Sequence, residues 1–347
     1  MPGRMKAISY RVARGVGLFR LAGRLTRRSL RILCYHGIST TDEHEFRPRL
    51  FVTRARFEER MDRLSAGGTA VLPLDEALHR LRDGTLPDRA VAITFDDGFY
   101  SSFAQALPIL KERGLPATVY VTSYYALKGS PVFRLAAQYL FWKTQRGRLD
   151  LSGLALPGSE AIELPAADEA MWRIIHFAER ELDEPARVEL TRNLAERLGV
   201  DYDKIERSRA LSMMNSDEIR EASASGFDLQ LHTHRHELPT DAARIAQEIS
   251  ENRAALEPLV GKRLEHLCYP SGIWSEKRFA ALQAAGIQSA TTCDAGLNTP
   301  RTPLLALHRF LDGQDLSQIE FDGELSGFSE WMRRVRFALL FGEGGRE

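Results

Sequence analysis

Short apolar runs and amphipathic stretches take turns along most of the chain. Arg31–Tyr35, Thr69–Leu72, Ala90–Phe95 and Ala117–Thr122 are short runs rich in β-branched and aromatic residues, the pattern of strands buried on both faces. Between them Phe57, Met61 and Leu64 recur at i, i+4, i+7 in a helix that Thr53 can cap. Leu74–Arg82 stops before Gly84, and Ser102–Arg113 closes at Gly114. After residue 210 the rhythm resumes. A helix capped by Ser216 ends at Gly226, a strand follows over Asp228–Leu231, and Asp241–Val260 is a long amphipathic helix closed by Gly261. Leu264–Tyr269, Ile287–Thr292 and Leu304–Phe310 read as further strands, with a helix over Glu276–Ala285 capped by Ser275. Strand–helix alternation of this kind predicts right-handed crossovers, a parallel sheet and a (β/α) barrel.

Residues 124–210 break the rhythm. They carry helical patterns over Ala170–Leu182 and Pro185–Leu198 and no clear strand, and Leu151–Pro165, rich in Gly, Pro and Leu, reads as a loop. An insertion on a loop after one barrel strand is expected to shape the substrate cleft. The chain therefore divides into a basic amphipathic segment over 1–30, barrel parts over 31–123 and 211–325 flanking the helical insertion 124–210, and a second basic amphipathic segment over 326–347.

Forty-seven basic side chains balance forty-seven acidic ones, so no global attraction to nucleic acid is expected. The balance is not local. Met1–Thr41 holds nine Lys and Arg residues and no acid, with Ile8, Val12, Val16 and Phe19 at helical spacing. Trp331–Phe341 again combines arginines with large apolar residues. Arginines interrupt every apolar run before it reaches membrane-spanning length, and the features of a signal peptide are missing. A cytoplasmic enzyme is expected, in peripheral contact with an anionic membrane surface that would carry the barrel mouth to lipid-linked sugars. Cys34, Cys268 and Cys293 form no C-x-x-C pair, which points to buried apolar roles rather than a zinc knuckle or disulfides.

The chemistry concentrates at predicted strand ends. Asp96, Asp97 and Gly98 follow Ala92-Ile93-Thr94-Phe95, and two adjacent acids at the tip of a buried strand call for a cation or a shared proton. Asp228–Leu231 delivers His232, His234 and His236. His232 and His236, four apart, face one way on a helical turn, and two imidazoles with a carboxylate suit zinc or a neighbouring transition ion. His36, Asp96, Asp97, His232, His236, Ser271, Asp294 and His308 all fall at such tips, where a parallel barrel builds its active site.

Thr94-Phe95-Asp96-Asp97-Gly98 with His232-Thr233-His234-Arg235-His236 resembles the first two motifs of the polysaccharide deacetylase (NodB-homology) family. Ile32-Leu33-Cys34-Tyr35-His36-Gly37 is similar to the opening strand of its exopolysaccharide-associated bacterial branch, and Tyr269-Pro270-Ser271-Gly272 resembles a later turn. The resemblance implies a distorted (β/α)7 barrel and a metal-dependent hydrolase that removes acetyl groups from N-acetylated sugars of a bacterial polysaccharide or its lipid-linked precursor. It implies Asp97, His232 and His236 as ligands of a divalent ion, zinc first and cobalt or nickel as alternatives. Asp96 is then the general base, His308 the acid for the leaving amine, and the Ser271 N–H an oxyanion donor. Tyr269 and His36 border the substrate, unless His36 merely satisfies a buried backbone group. One position departs from the pattern. Cys268 stands where many relatives carry an arginine that orients the base, leaving Arg309 or Arg235 to replace it. Two other readings use the same residues, an amidohydrolase of non-sugar C–N bonds and a degenerate barrel that only binds glycan. Asp96 beside a full ligand set argues against the second, because binding needs no base.

Overall fold

The computed structural model describes residues 3–154, 156, 161–164 and 168–341. Seven parallel strands form the central sheet: β1 (Arg31–Tyr35), β2 (Val91–Phe95), β3 (Ala117–Val121), β4 (Phe227–Leu231), β5 (His266–Cys268), β6 (Ser289–Thr291) and β7 (Phe310–Leu311). Their spatial order is β6-β5-β4-β3-β2-β1-β7. Leu33 and Cys34 of β1 pair with Phe310 and Leu311, while Leu307, just upstream, pairs with Thr291 of β6. One segment thus ties both edges together and curls the sheet into the expected distorted seven-stranded barrel.

Alternation along the strands sorts the core. Ile32, Ala92, Tyr120, Cys268 and Leu307 form one buried cluster, and Leu33, Tyr35, Val91, Ile93, Phe95, Val119 and Val121 belong to another that reaches the outer helices. The first cluster also contains Leu74, Ala77, Leu78 and Leu81 of helix Leu74–Arg82. That helix plugs the N-terminal end of the barrel, and its Asp75 lies 3.4 Å from His266 of β5. Thr69–Leu72, expected as a strand, contributes a single bridge from Val71 to Val91.

Other boundaries also differ from expectation. Asn215, not Ser216, caps helix Ser216–Ala224, through a reciprocal box with Glu218 of the kind that contributes about 1 kcal/mol. The expected strand Leu304–Phe310 is a 3₁₀ turn, Leu304–Ala306, that precedes β7. Ser102–Ala106 is a wide π turn leading into Leu107–Glu112, which accommodates Pro108 and its missing N–H.

Between β3 and β4 run helices Ser123–Ala126, Phe133–Lys143, Asp168–Glu181, Glu184–Leu198 and Tyr202–Ser208, with a short antiparallel pair of Arg148–Leu149 and Ile162–Glu163 that the sequence did not announce. Part of the loop expected over Leu151–Pro165 lies outside the described residues, as do residues 342–347 of the last segment.

The basic segment expected as one helix is two, Gly3–Gly15 and Leu18–Leu25, broken at Gly17, whose φ of 84° suits glycine. They pack on helices Gln318–Leu325 and Phe328–Phe341 through Tyr10, Ala13, Phe19, Ala22, Ile319 and Phe328. A β-carbon at Gly323 would stand 2.5 Å from the Tyr10 ring, so the crossing needs glycine there. Among the described residues no helix is long and apolar enough to cross a membrane.

Candidate active site

The strand ends of β1, β2, β4 and β5 surround a cavity of about 510 Å³ lined by His36, Asp96, Asp97, His232, His236, Tyr269, Ser271 and Cys293, with Arg134 and Leu135 of the insertion on its wall. Asp96 continues the inward face of β2 after Ala92 and Thr94. Asp97 has a left-handed φ of 69°, which leaves the extended conformation and brings its carboxylate to the same cavity as its neighbour's. Thr233, His236 and Ser271 also have positive φ, at 60°, 58° and 56°. Four of the seven non-glycine residues in this region of backbone space among the described residues thus cluster at one place, as expected where geometry is held for function.

Asp96 and Asp97 have separate partners. Arg309 Nη1 and Nη2 donate to Asp96 Oδ1 and Oδ2 at 2.6 and 2.7 Å, and its Nε donates to the Thr292 carbonyl. Burial works to raise the Asp96 pKa, but the Arg309 charge and its hydrogen bonds carry it below the usual carboxylate range. Arg235, the other arginine considered for this place, is bound to Glu248 and Glu251 instead. Asp97 Oδ1 lies 3.1 Å from His232 Nε2 and 3.3 Å from His236 Nε2.

The three ligand atoms of Asp97, His232 and His236 all lie within 4.8 Å of one another. With bonds of about 2.1 Å, the edge of a tetrahedron around zinc is about 3.4 Å, close to the two observed separations. His232 Nδ1 is 2.9 Å from the Cys268 carbonyl, an arrangement that fixes the tautomer and turns Nε2 toward the cavity. Asn252, fully buried, accepts from the His232 N–H and donates to the Val121 carbonyl and Ser123 hydroxyl, bracing the turn. The residues therefore fit a divalent ion. Cys34, His36 and Asp96, and Asp96, His232 and Cys268, also come within ligand distance of each other. Both sets share the carboxylate already held by the Arg309 guanidinium, whose charge disfavours a cation there.

Sequence reasoning missed the thiols. Cys34 Sγ and Cys268 Sγ donate to Asp96 Oδ2 at 3.5 and 3.4 Å, and Arg309 Nη2 lies 3.2 Å from Cys268 Sγ and 3.9 Å from Cys293 Sγ. Burial pushes the Cys34 thiol up and Cys293 up to about 11, so both stay protonated. Three cysteines far apart in sequence thus gather around one ion pair.

His36 lines the cavity with Nε2 3.8 Å from Asp96 Oδ2. Tyr269 also lines it, although its hydroxyl donates to the Leu305 carbonyl. Ser271 borders the cavity in its strained turn. Asp294 instead accepts from Trp274 Nε1. His308 is absent from the cavity lining. Its backbone is bonded to Asn298, and its ring packs on Gly296, where a β-carbon would stand 2.9 Å from it.

The sequence profile of the family described as polysaccharide deacetylase matches residues 83–139 and 191–290, which include the Asp96–Asp97 and His232–His236 motifs. Those residues form a polysaccharide deacetylase domain. A curated putative polysaccharide deacetylase of Bacillus subtilis, YxkH, is 34% identical over 93 residues, 26% of this chain and 31% of that protein's length. Solved structures share the fold. The Streptococcus pyogenes deacetylase PplD, in complex with acetate, superposes with a TM-score of 0.55 at 16% identity over 84% of this chain and 96% of its own. IcaB from Ammonifex degensii gives 0.53 at 18% identity over 87% and 97%. A de-N-acetylase from Aggregatibacter actinomycetemcomitans gives 0.52 at 14% identity over 85% and 99%.

Proposed function

We propose that this deacetylase hydrolyses the acetamide group of N-acetylated sugars in a bacterial polysaccharide or its lipid-linked precursor, with a divalent ion held by Asp97, His232 and His236. The observation that carries this reading is the division of labour between neighbouring acids. Asp97 faces two imidazoles, and Asp96 is kept ionised beside them by Arg309. An ion at the triplet, zinc first among the candidates, supplies Lewis acidity and lowers the pKa of water. Asp96 accepts the proton of the attacking water. The Ser271 N–H, on the turn bordering the cavity, donates to the oxyanion. His36, which lines the cavity beside Asp96, is placed to return a proton to the leaving amine, whereas His308 is not among the lining residues.

An extended glycan fits better than a free sugar. Arg134 and Leu135 on the cavity wall and Gln138, Phe141 and Trp142 along the same face of helix Phe133–Lys143 lead into a second cavity of about 560 Å³. Phe46 and the half-exposed Trp142 offer aromatic surface there, beside Arg47 and Thr144. Such a mixture of aromatic faces and hydrogen-bonding groups suits sugars. The deciding experiment is acetate release from N-acetylated oligosaccharides, O-acetylated saccharides and cyclic amides. Turnover of cyclic amides with inert acetylated sugars would replace the proposal with the amidohydrolase reading, and inertness toward all three would leave a glycan-binding barrel.

A further inference from the structure

We propose that helices Gly3–Gly15, Leu18–Leu25 and Phe328–Phe341 form a docking surface for a bilayer containing anionic lipid. Gly3–Gly15 is apolar on two opposite faces. Tyr10 and Ala13 pack inward, while Met5, Ile8, Val12 and, just beyond the helix, Val16 recur three or four residues apart on the outer side and are 55% to 69% exposed. A helix packed on a soluble domain normally turns its polar face outward. Leu21 and Leu25 repeat the pattern one turn apart on the second helix, and Trp331, Met332 and Val335 on the third. These nine are among thirteen exposed large apolar side chains in the described residues, and that concentration is unlike the scattered exposure ordinary on monomers.

The charge is arranged to match. Lys6 and Arg14 are paired with Glu320 and Asp322. Arg11, Arg20, Arg24, Arg27 and Arg28 are exposed and make no ion pair among the described residues. Arg31 is buried, with its guanidinium on the carbonyls of Thr26, Ser29 and Leu325 and the Thr26 hydroxyl, so its charge meets no carboxylate. Between these helices and the barrel lies a cavity of about 820 Å³ lined by Arg11, Arg14, Arg20, Arg63 and Arg89, with Asp322 as its acid.

These features select the occupant. A second copy of the chain on this face would set two groups of unpaired arginines against each other. A soluble polyanion would leave the apolar rows in water. An anionic bilayer satisfies both, with apolar side chains at the acyl boundary and guanidiniums among the headgroup phosphates. The layer lies by the N-terminal ends of β1 and β2, where Leu325 and Arg89 line the same cavity as Val91, at the opposite end of the strands from Asp96 and Asp97. Docking there does not carry the barrel mouth to the lipid, contrary to the sequence-based expectation. The length of β2 alone sets the site back by roughly 16 Å, at about 3.3 Å per residue, which favours a glycan that extends from the surface.

The full chain is sedimented with phosphatidylcholine vesicles with and without phosphatidylglycerol, at low and high salt. Binding is expected to require phosphatidylglycerol and to weaken with salt. Arg24→Gln/Arg28→Gln should weaken it by roughly 25-fold, or about fivefold per basic residue. Ile8→Glu/Val12→Glu should abolish it with an unchanged melting temperature, since both side chains are exposed. The proposal is overturned by a parent chain that stays in the supernatant, by an Ile8→Glu/Val12→Glu variant that binds like the parent, or by binding that inorganic pyrophosphate abolishes while the apolar variant retains it. A parent that is dimeric in light scattering and indifferent to vesicles assigns the face to a second copy and overturns it equally. None of these residues lines the cavity holding Asp96, so the outcome is independent of deacetylase activity.

Discussion

Replacing Arg309 by Met tests the feature on which the proposed chemistry leans hardest, a carboxylate kept ionised inside a barrel. Arg309 and Asp96 are 0% and 2% exposed and are joined by bonds of 2.6 and 2.7 Å. Methionine fills much of the space of the arginine stem but removes its charge and every donor, so Asp96 is left facing an apolar group. The Thr292 carbonyl loses its partner as well. Breaking a buried pair from one side costs about 3–5 kcal/mol, a large share of a total stability of about 5–15 kcal/mol. At about 2–4 °C per kcal/mol, the midpoint should fall by roughly 6–20 °C. Arg309→Met/Asp96→Asn removes the stranded charge too, and should regain roughly 2–3 kcal/mol of what the single variant loses. Arg309→Lys restores a point charge without the fork and should fall between parent and Arg309→Met. Urea midpoints give the stabilities, elemental analysis the ion content, and acetate release the activity, which should drop in Arg309→Met with ion content unchanged. An Arg309→Met chain within 1 kcal/mol of the parent, or a double variant no more stable than the single one, would refute the reasoning.

Asp96→Asn should keep the ion and lose about 10²- to 10⁴-fold in rate, whereas Asp97→Asn should weaken ion binding itself; a metal titration with the reverse pattern exchanges their roles. His232→Ala and His236→Ala should each lose ion and activity together, and full activity in thoroughly chelated parent protein would defeat the metal assignment. Trp142→Ala, at a half-exposed position, should change stability by no more than about 0.5 kcal/mol. It should lower kcat/KM about 2- to 10-fold on long glycans with little effect on an acetylated monosaccharide, and equal losses on both would count against the groove.

The barrel was legible because strands buried on both faces are nearly continuous apolar runs, and such runs survive without any knowledge of their neighbours. The Asp96–Asp97 and His232–His236 motifs were legible because each follows such a run directly. What escaped depends on tertiary placement. Asn252 sits on an amphipathic helix twenty residues beyond His232, and nothing local marks it as the bracket under that histidine. Leu74–Arg82 reads as one more crossover helix, and its role as a plug emerges only when its leucines meet Ile32, Tyr120 and Cys268. The choice between Arg309 and Arg235 was open in sequence because both flank a motif. Glu248 and Glu251 settle it by holding Arg235 elsewhere.

Position 268 explains how the site tolerates its departure from the family pattern. The residue there has two connections, and they differ in what they require. Its carbonyl lies 2.9 Å from His232 Nδ1, a main-chain contribution that any side chain leaves intact. Its sulfur lies 3.4 Å from Asp96 and 3.2 Å from Arg309, inside the barrel, where a second guanidinium would meet the first across one carboxylate. Two like charges that close in a buried space repel strongly, so an arginine at 268 and one at 309 exclude each other. A small, weakly polar side chain at 268 therefore belongs with the arginine at 309. Cys34 on the other flank of the carboxylate is a thiol too, 3.5 Å from the same oxygen. With weak sulfur donors around it, Asp96 has one strong partner, and the Arg309 fork both sets its orientation and keeps it ionised.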